Sequence, residues 1–200
     1  MRNHAVNKTV LGMLTCLLLS ACGVLTQGET PAVTTWWLVP YGNDAKVMSA
    51  TPESRMVSIE VTAVPGLDTD KILALTSDLE LKPYAGARWP DHVPDITESL
   101  FGRSMEASGR FKILAPGAVQ RGEVCNLRLE VREFFTSLDG ADQTDQAKVS
   151  FAGQYQCGSN RAVPVFFSSA IPVKDGRMKN IVAGFQSAMN DVTRELLDLF

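Results

Sequence analysis

Two alternating runs, each with a cysteine at its outer end, constrain the fold of this chain more than any other feature. Residues 125–132 read CNLRLEVR, with Cys125, Leu127, Leu129 and Val131 on one side and Asn126, Arg128, Glu130 and Arg132 on the other. Residues 149–157 read VSFAGQYQC, with Val149, Phe151, Tyr155 and Cys157 on one side and Ser150, Gln154 and Gln156 on the other. A period of two specifies half-buried strands, and the turn-rich SLDGADQTDQ between them specifies a hairpin. A register that sets Cys125 opposite Cys157 also sets Leu127 opposite Tyr155 and Val131 opposite Phe151. Slipping it by one residue sends the two apolar faces to opposite sides. Facing residues of an antiparallel pair have Cβ atoms about 4.5–5.5 Å apart, close to disulfide geometry. A Cys125–Cys157 disulfide is therefore expected, with two buried free thiols as the alternative. The spacing is far from C-x-x-C, so it does not point to redox chemistry.

The N-terminus sets the compartment. Arg2 and Lys8 precede an apolar stretch from Val10 to Leu19, and small residues follow. This is the secretory-signal pattern, and it is shorter than the roughly 20 apolar residues a bilayer span needs. Leu19-Ser20-Ala21-Cys22 resembles the bacterial lipobox, after which Cys22 becomes the first mature residue and carries lipid. An ordinary signal peptide with an incidental cysteine is the alternative. The expected organisation is a leader over 1–21, a flexible tether over 22–35 and a single globular domain over 36–200. Cys16 and His4 leave with the leader. Arg2 and Lys8 leave too, so 17 of the 19 basic residues face 22 acidic ones, a net charge of −5. That balance argues against nucleic acid and against a polybasic grip on anionic lipid. An Asp after the lipidated cysteine commonly signals inner-membrane retention. Gly23 stands there instead, which implies the periplasmic face of the outer membrane.

Elsewhere the pattern alternates between strand and helix. Met56–Val64 reads as a strand ending at Pro65-Gly66, and Lys71–Thr76 and Leu79–Lys82 as short strands around Ser77-Asp78. Trp36–Val39 reads as another, closed by Pro40. Trp89, Val93, Ile96, Leu100, Phe101 and Met105 form one stripe of a helix over Trp89–Ser108, with Pro90 and Pro94 tolerated near its start and Gly109 as its cap. Phe111–Leu114 makes a brief strand before Pro116-Gly117. Residues 162–173 look β-like, but Pro164 and Pro172 confine them to a sheet edge. Met178, Ile181, Val182, Phe185, Met189, Val192, Leu196 and Leu199 form a strong helical stripe. The order predicts an α+β fold, an antiparallel or mixed sheet with two amphipathic helices packed on one face.

Taken together, four segments form an ordered pattern: the lipobox, Trp36-Trp37-Leu38, the run Ile59-Glu60-Val61-Thr62-Ala63-Val64-Pro65-Gly66-Leu67-Asp68, and Arg88-Trp89 opening an amphipathic helix. It resembles the ABC-type transport auxiliary lipoproteins, the family that includes paraquat-inducible protein C. The resemblance implies a lipid-anchored outer-membrane protein without catalytic machinery. Such a protein works beside a periplasmic mammalian-cell-entry (Mce) domain protein and its inner-membrane permease in envelope lipid transport. Gly66 stands where the family commonly has an aromatic residue, and Pro90-Asp91-His92 stand where Ala and an acidic residue usually follow Trp89. The Cys125–Cys157 pair lies outside the family pattern.

Little in the chain points to catalysis. His92 is the only mature histidine, and G-x-S-x-G, H-E-x-x-H and phosphate-loop motifs are missing. One histidine and two distant cysteines lack zinc-site spacing. Asp139, Asp142 and Asp145 with Gly140 resemble a calcium loop but lack the terminal Glu. The expectation is a non-enzymatic protein with no metal and no cofactor beyond the lipid on Cys22. Trp36, Trp37, Phe166 and Phe167 are the candidate partner surface, because tryptophan is enriched at hot spots and an edge strand can accept another strand. Packing of both tryptophans on the domain's own core, and an edge blunted by its prolines, are the alternatives. Three roles follow: an accessory that anchors or caps an Mce conduit, a module that itself binds lipid, or a structural envelope-stress lipoprotein unrelated to transport. A homo-oligomer is compatible with each.

Overall fold

The predicted hairpin is the spine of the fold. A computed structural model describes residues 32–42, 54–115, 122–138 and 144–200. The leader, Cys22, Pro116-Gly117 and the hairpin tip with Asp139, Gly140 and Asp142 lie outside the described residues. The strands are β1 (Thr34–Thr35), β2 (Arg55–Ala63), β3 (Lys71–Leu75), β4 (Leu81–Arg88), β5 (Phe111–Ile113), β6 (Val124–Ser137), β7 (Gln146–Cys157) and β8 (Val163–Pro172). The helices are α1 (Val93–Ala107) and α2 (Met178–Leu199).

β6 and β7 pair antiparallel with Cys125 opposite Cys157, Leu127 opposite Tyr155 and Val131 opposite Phe151. A bulge between Val131 and Glu133 shifts the register. It lets Phe134 and Thr136 continue the buried side that Val131 ends. Gly153 sits where the two strands approach most closely: a Cβ there would lie 2.0 Å from the Arg128 carbonyl oxygen. Among the described strands β8 pairs only with β7 and is the sheet edge its prolines predict. The other edge of β6 takes two strands in tandem, both parallel to it. β2 lies along Val124–Val131 and β3 along Thr136–Ser137. Between them the chain leaves the sheet through Pro65-Gly66, after Val64 N–H has donated to the Val131 carbonyl at 3.1 Å. β5 flanks β2, β4 flanks β3, and β1 flanks β4.

Both helices cover the same face of this mixed sheet, as the α+β expectation required. Phe151 of β7 meets Phe101 of α1 with ring centroids 5.0 Å apart. Ala147, on the same side of β7, touches α2 at Gly184, where an added Cβ would come within 3.0 Å. Between the helices, Phe134 stacks on Phe185 at 5.0 Å, and Trp89 meets both edge-on at 5.7 and 5.4 Å. The uncovered face carries the polar alternates, including Arg128 paired with Glu60 at 3.2 Å and Arg132 paired with Glu130.

Three boundaries differ from the sequence reading. α1 starts at Val93, not Trp89. The Trp89 N–H donates to the Asp70 carbonyl at 2.7 Å and Val93 N–H to the Thr69 carbonyl at 3.1 Å, which holds the Pro90 segment against the preceding turn. The Ser77-Asp78 turn extends through Leu79, whose φ is +63°, so β4 begins at Leu81 and runs on to Arg88. Trp36–Val39 is not a strand. The ladder with β4 is made instead by Thr34 and Thr35, assigned above to the tether, and the folded unit runs from Val33 to Phe200.

Candidate interaction surfaces

After Trp36 N–H donates to the Arg88 carbonyl at 2.8 Å, the chain leaves the sheet edge and crosses the helix layer as a strap. Side chains of both helices fasten it. The Gln186 amide of α2 clamps Val39 from both sides, accepting from its N–H at 2.8 Å and donating to its carbonyl at 2.9 Å. Ser104 of α1 accepts from Tyr41 N–H at 2.9 Å while donating to the Leu100 carbonyl. The Arg194 guanidinium lies 5.6 Å from the centre of the Tyr41 ring, within cation–π range. Leu38 and Pro40 point inward and are buried. Trp36 is half-buried against the core. The residues between them point outward, Trp37 being 62% and Val39 47% exposed, and Val33, ahead of β1, is 54% exposed.

Beside Trp37 a groove of about 280 Å³ opens along α1. Its floor is Leu38, Ile96 and Leu100, and its rim carries Asp91, Asp95 and Arg103. Two carboxylates against one guanidinium leave the rim weakly acidic. Next to it, His92 holds the N-cap position of α1 and joins the helix to the Pro65–Asp70 turn, its Nδ1 2.7 Å from Asp68 Oδ1. That hydrogen bond, followed by the nearby charges of Asp68, Asp91 and Asp95, raises the imidazole pKa above its ordinary 6.5.

The other candidate aromatic pair divides across the sheet. Phe167 lies opposite Phe151 and is buried on the helix-covered side. Phe166, opposite Ala152, faces the bare side and is 65% exposed. The four aromatic residues singled out in the sequence therefore do not form one surface. Trp37 and Phe166 are presented on opposite sides of the sheet, while Trp36 and Phe167 serve the interior. The polar bare face beside Phe166 forms a broad hollow of about 570 Å³ lined by Glu60, Arg128, Arg132, Gln154 and Pro164. Sequence reasoning missed Val33 and Val39 as exposed apolar residues, because their outward orientation follows from the strap's path and not from any local period.

Cys125 and Cys157 form the disulfide that the register predicted, at the open end of the hairpin. At the start of α2, Asp175 substitutes for a capping side chain that Arg177 lacks. Its carboxylate accepts from Arg177 N–H at 3.0 Å and from the Asn180 amide at 2.7 Å. The Arg177 guanidinium and these hydrogen bonds hold the Asp175 carboxyl well below the usual carboxylate range. Among the described residues no group of three or more His, Cys, Asp or Glu side chains is placed to hold a metal ion. No described helix is long and apolar enough to cross a membrane.

The fold recurs in solved structures. Protein XCC0632 from Xanthomonas campestris, assigned to the family model DUF330, superposes with a TM-score of 0.61 at 22% identity, over 83% of this chain and 91% of that one. An uncharacterized protein superposes with a TM-score of 0.61 at 11% identity, over 84% of this chain and 98% of that one. At these identities the likeness is one of fold. No family model matches the sequence, and no curated protein matches it.

Proposed function

We propose that this chain is a non-enzymatic lipoprotein, attached through Cys22 to the periplasmic face of the outer membrane, that presents its folded unit to an Mce-domain component of an envelope lipid-transport system. The observation that carries the reading is the placement of two exposed aromatic residues on opposite sides of one sheet, on a chain whose N-terminus reads as a lipobox. Such a body can meet two different neighbours at once. Support comes also from the segments that resemble the ABC-type auxiliary lipoproteins, and from a fold shared with XCC0632. Phe166 on the edge strand is the protein-facing candidate. It stands next to a polar, hydrogen-bonding face, the mixture found at the rim and anchor of a non-obligate interface.

Purification of the full-length protein from its native host in mild detergent tests this. An Mce-domain protein should co-purify, and Phe166→Glu should abolish the association while leaving the fold unchanged by circular dichroism. A complex that never contains such a protein overturns the partner. The anchor is tested separately: palmitate incorporation should vanish in Cys22→Ala, and labelling that survives the substitution overturns the attachment site.

A further inference from the structure

The exposed row on the strap remains unexplained by a protein partner on the opposite side. On the strap Trp37 and Val39 point away from the core, with Leu38 and Pro40 turned under them, and Val33, just before β1, is exposed as well. Trp37 and Val39 are held outward on a segment whose backbone Gln186 and Ser104 fix at Val39 and Tyr41. The row also begins next to the proposed anchor. Only residues 23–31 lie between the acylated cysteine and the first described residue, and the ten steps from Cys22 to residue 32, at about 3.5 Å each, span at most roughly 35 Å. Within the folded unit, β1 and the strap that follows it are therefore the parts whose covalent distance to the bilayer is shortest.

We infer that the strap, with the residue that leads into β1, is a membrane-contact surface: Trp37 and Val39 of the strap and Val33 ahead of β1 rest in the headgroup region of the same bilayer that holds the lipid on Cys22. This rests on the anchoring proposed above and extends it, from one covalent attachment to a second, oriented contact. Tryptophan suits the position because its ring is apolar and its N–H polar, and it concentrates at membrane–water interfaces. The charges decide which lipid fits. Asp91 and Asp95 outnumber Arg103 beside Trp37, so anionic headgroups are repelled and zwitterionic ones are favoured. The adjoining groove, at about 280 Å³, lies below the range of sites that enclose a drug-sized molecule. With the strap side on the membrane, the bare sheet face and Phe166 point away from it.

The test uses the mature chain, in which Cys22 is the one cysteine outside the Cys125–Cys157 disulfide. Coupling Cys22 to a maleimide-headgroup phospholipid fixes the chain to phosphatidylcholine vesicles whether or not cells acylate it, so this result stands apart from the palmitate result. Brominated phosphatidylcholine then reports contact by quenching tryptophan. The tethered wild type should lose the Trp37 share of its emission, and Trp37→Phe, which retains Trp36 and the buried Trp89, should lose none. Replacing half of the lipid with phosphatidylglycerol should reduce the quenching. Equal quenching of wild type and Trp37→Phe overturns the inference. Stronger quenching on anionic vesicles overturns it too, since the contact would then not be the neutral one argued here. If Trp37 is already shielded from acrylamide before vesicles are added, in proportion to protein concentration, a second copy of the chain covers it and the inference fails.

Discussion

The β6–β7 hairpin and the strap over the helices are held in place by opposite means. The hairpin is a regular ladder: its buried side alternates residue by residue, its strands close on one another, and a disulfide joins its open end. The strap has no ladder beyond Thr34–Thr35 and depends on three borrowed side chains, Gln186, Ser104 and Arg194. One is fixed by many cooperative contacts within itself, the other by a few polar contacts to elements that fold around it. The first makes a core. The second displays apolar side chains that a core would have absorbed.

That contrast can be tested by breaking each part. Phe151→Ala, in the hairpin and against Phe101, should cost about 3–5 kcal/mol, the range for emptying a buried aromatic site, read as a lower midpoint in urea unfolding. A loss under 1 kcal/mol would mean that the hairpin is not the spine. Removing the disulfide with the paired Cys125→Ala and Cys157→Ala changes should lower stability by about 3–4 kcal/mol from loop closure over 32 residues. The midpoint should fall by a similar amount when the wild type is reduced with dithiothreitol. The strap should respond less. Gln186→Ala removes the two hydrogen bonds to Val39 and one to Asn190 at a partly exposed site and should cost about 1 kcal/mol, while the Val39 amide loses its protection from hydrogen exchange. If global stability falls as far as it does for Phe151→Ala, the strap belongs to the core.

The smallest effect is at the turn beside the strap. The pKa of His92 is raised in the fold, so its pairing with Asp68 contributes fully below pH 6.5 and is lost as pH rises through the elevated value. In the mature chain His92 gives the sole histidine ring signal in NMR. It should titrate above 6.5 in the wild type and move back towards 6.5 in Asp68→Asn. An unchanged midpoint in that variant would remove Asp68 as the cause.

The same contrast explains what the sequence could reveal. The hairpin register was readable because alternation and two cysteines agree on one pairing. Even its bulge has a sequence mark, since Arg132-Glu133 interrupts the alternation between Val131 and Phe134 and the buried parity changes across it. The edge position of β8 was readable from Pro164 and Pro172. The course of α1 was readable in its stripe, but its first turn was not. Whether Trp89 continues a helix or precedes one depends on carbonyls of Thr69 and Asp70 that lie outside the segment. The parallel pairing of β2 with β6 was hidden for a related reason, because no local pattern names a distant partner. The strap was misread as a strand since Trp36-Trp37-Leu38 has strand composition. Its conformation is decided by Gln186 and Ser104, far along the chain. For the surfaces, the sequence singled out Trp36, Trp37, Phe166 and Phe167 but could not say which of each adjacent pair faces out.

The tandem seating of β2 and β3 along a single edge of β6 has a kinetic consequence. Both strands are made before β6, and neither can complete its ladder until β6 is present, because Met56 pairs with Val124 and Ala74 with Thr136. Contacts between such distant positions carry a larger loop-closure cost and form later than local ones. The β6–β7 hairpin is local by comparison, so it can zip and oxidise first and then serve as the template on which the earlier-synthesised half of the sheet assembles. Until that moment β2 and β3 each carry an unpaired edge, and this interval is where the chain is most exposed to aggregation.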